Sequence, residues 1–205
     1  MCLECTSGLA RLLAPLCPRC GRPEVNGIVC ASCRQTAGEI DGVRSVFCFD
    51  RAVRQAVYQL KYRNLRAIAP LLAGLLADYV RSNPIPGDVL VPVPLHPSRI
   101  RVRGYNQSRL LAAELGRQLG MPLAEDSLVR VGYVGPQVKA SDVAERRRNV
   151  ADAFACRDRE LYGKRVILVD DVCTSGATLD SCAAALKKEG VASVWGLTLA
   201  RETFR

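Results

Sequence analysis

The chain has 205 residues, 49% of them hydrophobic, which suits one ordinary α/β domain with a small appendage. Its formal charge of +9 favours phosphate-rich partners such as nucleotides or nucleic acid, although four thiolates on one Zn²⁺ would offset part of that charge. The longest apolar-rich stretch, residues 67–77, is too short for a bilayer and is flanked by Arg66 and Asp78, and the first residues show no secretory pattern, so a cytoplasmic setting is expected.

Three C-x-x-C pairs open the chain: Cys2/Cys5, Cys17/Cys20 and Cys30/Cys33. A two-residue spacing lets a tight knuckle present both sulfurs to one tetrahedral metal, and two knuckles complete a Cys₄ zinc site. Cys17, Cys20, Cys30 and Cys33 are the expected set, a closed structural site with no open coordination position. Gly21 is suited to the positive φ that such a knuckle needs. Cys2 and Cys5 then lack a partner pair, as if the chain began midway through a double zinc ribbon. A disulfide framework is the alternative, which a cytoplasmic setting disfavours. The expected division is a zinc ribbon over residues 1–36 and a larger α/β domain over 37–205.

Past the cysteines, a strand is expected at 44–49. Helical patterns follow at 51–62, with Val53, Val57 and Leu60 on one face, and at 65–80, closed by Asn83-Pro84. A short strand at 89–93 leads into a Pro-punctuated loop bearing Arg99, Arg101 and Arg103, with Gly104 expected to open the next helix, at 105–119. Such arginines suit a pyrophosphate; a solvated basic loop is the plainer reading. His96, the only histidine, sits between prolines in surroundings that do not mark it as a general base. A weak strand at 127–131 precedes a loop to about residue 144. Cys48 and Cys156 read as small core hydrophobes on strands, and Cys182 lies on a helix. The last strands, 165–169 and 193–199, flank a helix over 177–189 with Lys187 and Lys188 in its last turn. Alternating strands and helices imply a parallel sheet.

The most informative segment is V-I-L-V-D-D-V-C-T-S-G-A-T, residues 166–178. An apolar run suits a strand buried on both faces, and Asp170 and Asp171 are expected where it ends, where ligands bind in open α/β sheets. The amides of Thr174, Ser175, Gly176, Ala177 and Thr178 open onto a helix N-terminus and form a cradle for a phosphate. Acids for hydroxyls beside amides for a phosphate match a ribose 5-phosphate. A receiver-type acidic pocket is the plainer alternative, but it would need about 100 residues beyond the acids, and only residues 179–205 follow. Cys173 reads as a permissive position at a helix start, where a thiol pKa could be lowered.

This segment resembles the 5-phosphoribosyl-1-pyrophosphate (PRPP) signature of type I phosphoribosyltransferases. The resemblance implies that Asp170 and Asp171 face the ribose hydroxyls and that Cys173 to Thr178 wrap the 5-phosphate. The P-x-P-L…R-x-x-x-R-G-Y-N-Q-S pattern of residues 92–108, with Gln137, Arg146 and Asn149 further on, resembles the ComF family, phosphoribosyltransferase-like proteins linked to natural competence and use of external DNA. Membership implies a type I phosphoribosyltransferase-like parallel sheet flanked by helices, with an N-terminal zinc ribbon. It implies pyrophosphate contacts from Arg99, Arg103 and Gly104, and a hood over residues 131–144 with Gln137 and Lys139, followed by Arg146 and Asn149. It also implies Mg²⁺ with PRPP, and an enzyme displacing pyrophosphate from C1. The alternative is a PRPP-sensing adaptor contacting single-stranded DNA or DNA-uptake proteins. The chain departs from the family at its first C-x-x-C and at Val134, where a Thr is common.

Overall fold

The computed structural model describes residues 8–36, 38–131 and 153–203. In chain order it contains α1 (Ala31–Gln35), β1 (Gly42–Cys48), α2 (Arg51–Tyr62), a 3₁₀ turn (Arg66–Ile68), α3 (Ala69–Ser82), β2 (Val89–Pro92), α4 (Pro97–Arg103) and α5 (Gln107–Leu119). Then come β3 (Leu128–Arg130), β4 (Phe154–Cys156), β5 (Arg165–Cys173), α6 (Ala177–Lys188) and β6 (Ser193–Arg201). Four strands form a parallel sheet in the order β1-β6-β5-β2, and β3 and β4 form a separate antiparallel pair.

The apolar run of β5 is buried on both sides, as its unbroken composition requires. Ile167 and Val169 join Val57 and Leu60 of α2, Leu72 and Leu76 of α3, and Leu111 and Leu115 of α5. Val166 and Leu168 join Leu179 and Leu186 of α6 and Phe154 of β4. Local signals set the helix ends. The Asp50 carboxylate accepts from Val53 N–H at 3.1 Å and starts α2. Asn106 caps α5 at its start, and Gly120 ends it in the left-handed conformation.

Four sequence expectations need correction. Arg99, Arg101 and Arg103 lie on a helix, α4, not on a loop: the His96 side chain caps it, and Pro97 takes the first turn, where its missing N–H costs nothing. Gly104 closes that helix at φ 81° instead of opening the next one. The pattern over 65–80 divides into a 3₁₀ turn and α3. β5 runs four residues beyond Val169, because β6 continues beside it to the pair Cys173–Arg201, so the acid pair lies within a strand. Cys48 and Cys156 are on strands as expected, but half-buried.

Candidate functional site: an acid pair, an open turn and a cysteine cluster

The two expected knuckles fold onto the free edge of β1. Val43 N–H donates to Arg19 O at 2.7 Å, and Gly21 approaches the same strand so closely that a Cβ there would stand 2.5 Å from Val43 O. That approach, with φ 70°, is why glycine follows Cys20. The knuckles bring Cys17, Cys20, Cys30 and Cys33 together, with all four sulfurs within 4.8 Å of one another. Cys20 and Cys30 Sγ are 3.8 Å apart, the edge of about 3.8 Å that four Zn–S bonds of about 2.3 Å give a tetrahedron. Burial opposes ionisation of Cys17, but amide donors from Cys20, Cys30 and Arg19 bring it down to about 6, whereas burial pushes the Cys20 and Cys33 thiols up, so four thiolates side by side need a cation to hold them. The donor set fits a metal ion. Metal analysis of the purified protein is expected to give about one Zn²⁺ per chain; two would show that Cys2 and Cys5, outside the described residues, also bind.

At the carboxyl end of the sheet, Asp170 is half-buried and Asp171 is 2% exposed. Ser108 of α5 donates its hydroxyl to Asp170 Oδ1 at 2.7 Å, and Asp171 N–H donates to the same oxygen at 2.9 Å. Lys61 of α2 holds Asp171 by an ion pair of 2.6 Å to Oδ2, while Asp171 Oδ1 accepts from Val172 N–H. Burial first, then the adjacent Asp171 charge, pushes the Asp170 carboxyl up to about 7. One of the two neighbouring acids therefore titrates near neutrality.

The turn after β5 leaves Thr174, Ser175, Ala177 and Thr178 exposed, with Gly176 at φ 89° as the residue before α6. No side chain caps that helix in the way Asp50 and Asn106 cap theirs, although Ser175 Oγ accepts from Ala177 N–H at 3.3 Å. Cys173 differs from expectation: it is the last residue of β5, 2% exposed, and burial raises its thiol despite the charge of Arg201. Its side chain belongs beneath the turn, not among the groups that a ligand would meet.

Arg103 is half-buried, bonded to Gln107 and stacked 5.3 Å above the Tyr62 ring, whereas Arg99 is exposed. Gln137, Lys139, Arg146 and Asn149, and the expected hood, lie outside the described residues. Sequence reasoning missed three residues that shape the site: Lys61, Ser108 and Arg201. Ser108 had a signal, as the last residue of the R-G-Y-N-Q-S pattern; Lys61 and Arg201 had none beyond their charge.

This arrangement has relatives. A family model described as the phosphoribosyl transferase domain matches residues 105–202, which hold Ser108, both acids and the open turn. The glutamine PRPP amidotransferase from B. subtilis, complexed with ADP and GMP, superposes on 65% of this chain and 26% of its own at TM-score 0.46 and 22% identity. The family match and the parallel sheet define the class, an α/β protein with a type I phosphoribosyltransferase fold. Whole-chain similarity narrows it: competence protein ComFC of Bacillus subtilis (strain 168) is 30% identical over 98% of this chain and 84% of its own length. DNA utilization protein YhgH of Salmonella typhi is 32% identical over 95% and 87%, and competence protein F of Haemophilus influenzae 31% over 91% and 85%. The chain belongs to this ComF family of competence and DNA-utilization proteins. Among the described residues no helix is long and apolar enough to cross a membrane.

Proposed function

We propose that the chain binds PRPP with Mg²⁺ and displaces pyrophosphate from C1 of the ribose. The observation that carries this reading is the pairing of two fixed carboxylates with an exposed, uncapped turn in one strand-turn-helix unit. Asp170, aimed by Ser108, accepts from the ribose hydroxyls, and Asp171, buried and held by Lys61, keeps the second carboxylate charge behind it. The amides of Thr174 to Thr178 receive the 5-phosphate against the α6 N-terminus. The C1–O bond to pyrophosphate breaks as a bond from C1 to the nucleophile forms, and positive charge develops on the ring, which the neighbouring carboxylates favour. Arg99 and Arg103 lie on the helix leading toward Ser108 and would meet the departing pyrophosphate. Mg²⁺, a hard cation that suits carboxylate and phosphate oxygens, would enter with PRPP and neutralise its charge. Zn²⁺ at the cysteine cluster has a structural role.

Calorimetry with PRPP and Mg²⁺ tests binding, and pyrophosphate release with a panel of nucleobases tests turnover. Protonation removes the charge of Asp170 and turns one of its acceptor positions into a donor. PRPP affinity is therefore expected to fall by about tenfold per pH unit below 7, and to level off above it, as Asp170 takes up a proton. An affinity flat from pH 5 to 8 would remove Asp170 from the site.

A second reading is favoured by one surface. Tyr58 and Tyr62 are 43% and 64% exposed on α2, with ring centroids 5.1 Å apart. Arg51, Arg54, Arg63 and Arg66 lie along the same segment, which has no acid between Asp50 and Asp78. Exposed aromatic rings in a basic field suit single-stranded DNA, and the relatives' names refer to competence and DNA utilization. PRPP binding without pyrophosphate release on any base would favour this adaptor role over transfer.

A further inference from the structure

β6 ends on Arg201, one of the largest fully buried side chains, at 1% exposure. In the parallel register it pairs with Cys173, the last residue of β5, and its Nη1 donates to Cys173 Sγ at 3.0 Å. Its Nε has no hydrogen-bond partner, and among the described residues no carboxylate forms an ion pair with it. A cation taken out of water is costly unless an opposite charge faces it.

The surrounding groups do not supply that charge. Burial raises the Cys173 thiol despite the guanidinium, so the sulfur accepts as a neutral group. The acids at this end of the sheet are committed elsewhere. Asp171 pairs with Lys61, Asp170 accepts from Ser108, and Asp180, in the first turn of α6, accepts from Ile40 N–H at 3.1 Å. Glu202 follows Arg201 in the chain and pins the strand end instead, its N–H donating to Cys173 O at 3.0 Å.

On the far side of the sulfur lies the open turn. Cys173 runs directly into Thr174, and a Cβ on Gly176 would stand 3.8 Å from Cys173 Sγ. The sulfur therefore separates the guanidinium from the residue that precedes α6. The first amides of that helix carry the positive end of its dipole, and no side chain caps it. An uncapped helix start and a buried, unmatched cation are two independent features, and one anion in the turn completes both.

We propose that Arg201 is a positioning residue for phosphate: fixed beneath the turn and acting through Cys173, it is the positive charge that a bound phosphate-monoester dianion neutralises. This role deepens the phosphate reading above and rests on it.

Calorimetry with ribose 5-phosphate on the full chain tests it. Arg201→Met removes the charge and keeps an unbranched stem, and affinity is expected to fall by at least about tenfold. Arg201→Lys keeps a positive charge in the same place and should bind within about threefold of wild type, a rescue that a packing role would not give. If wild type and the methionine variant bind equally, or if lysine restores nothing, the role of Arg201 falls and the phosphate reading stands. If ribose 5-phosphate does not bind wild type, the phosphate reading itself falls, and this role with it. Should the methionine variant fail to fold, a crystal structure of the wild type with ribose 5-phosphate decides. The phosphate is expected over the turn, with no carboxylate nearer to the guanidinium than it is; a carboxylate from elsewhere in the chain paired with Arg201 overturns the proposal.

Discussion

Asp170→Asn is expected to raise the thermal midpoint of the ligand-free protein at pH 8 and, in the same variant, to lower PRPP affinity by at least about a hundredfold. The opposite signs have one cause. The folded protein holds the Asp170 carboxyl up to about 7, against an ordinary value of 3.8, so ionisation is opposed by burial and by Asp171. Between those two values the folded state retains a proton that the unfolded chain has lost, and stability falls as pH rises through this window. The penalty is absent below about pH 4 and complete above about pH 7. Full conversion of the shift gives an upper bound of about 4 kcal/mol, and solvent screening of a half-buried group reduces this to about 2 kcal/mol, or roughly 4–8 °C in a chain of this size. Asparagine removes the penalty and still accepts from Ser108. It cannot accept from ribose hydroxyls with a full negative charge, nor favour an electron-poor ring. A gain in stability at pH 8 that vanishes at pH 4, with PRPP binding lost, is the expected pair of results. Equal stability of variant and wild type at pH 8 would show that the Asp170 charge is not opposed by its surroundings.

A charge held against its own folding energy is typical of a site built for a ligand and not for stability. The uncapped turn beside it follows the same logic. Two other long helices of the domain, α2 and α5, start with an Asp or Asn side chain bonded to the backbone, whereas α6 starts with a glycine and four exposed neighbours.

Much of this site was legible before any coordinates. The apolar run of β5 fixes a strand buried on both faces, and the acid pair followed by T-S-G-A-T puts two carboxylates and an open turn at its carboxyl end. The C-x-x-C spacing likewise brought four sulfurs together. What was misplaced has physical reasons. Aspartate is a poor strand former, so β5 appeared to stop at Val169, but strand pairing is decided by the neighbour, and β6 continues to Arg201. The Arg99–Arg103 segment carried a first-turn proline and a closing glycine, both helix signals, yet the surrounding prolines suggested a loop. Lys61 and Arg201 could not be read at all. Each acts on a residue far along the chain, at Asp171 and Cys173, and charge alone does not tell a buried partner from a solvated face.

Lys61→Met is the second large effect, and here stability falls. Lys61 provides the ion pair to a carboxylate with 2% exposure; the pair is 2.6 Å long and reaches from α2 to the middle of the acid segment. Removing one partner of a buried pair leaves the other charge desolvated and unmatched, which costs about 3–5 kcal/mol in well-buried cases. The Lys61 side chain is 22% exposed, so water can replace part of its role, and a loss of about 2–3 kcal/mol is expected. Methionine preserves most of the stem, so the packing of α2 against the sheet is retained. The diagnostic measurement is the double variant. Lys61→Met with Asp171→Asn removes both charges, and denaturant unfolding should recover at least half of the loss, an interaction that independent sites would not show. Recovery of stability would not bring back PRPP binding, because Asp171 would no longer be a carboxylate. If the double variant instead loses the sum of the two single effects, Lys61 contributes by packing alone and does not hold the second acid in place for the ribose.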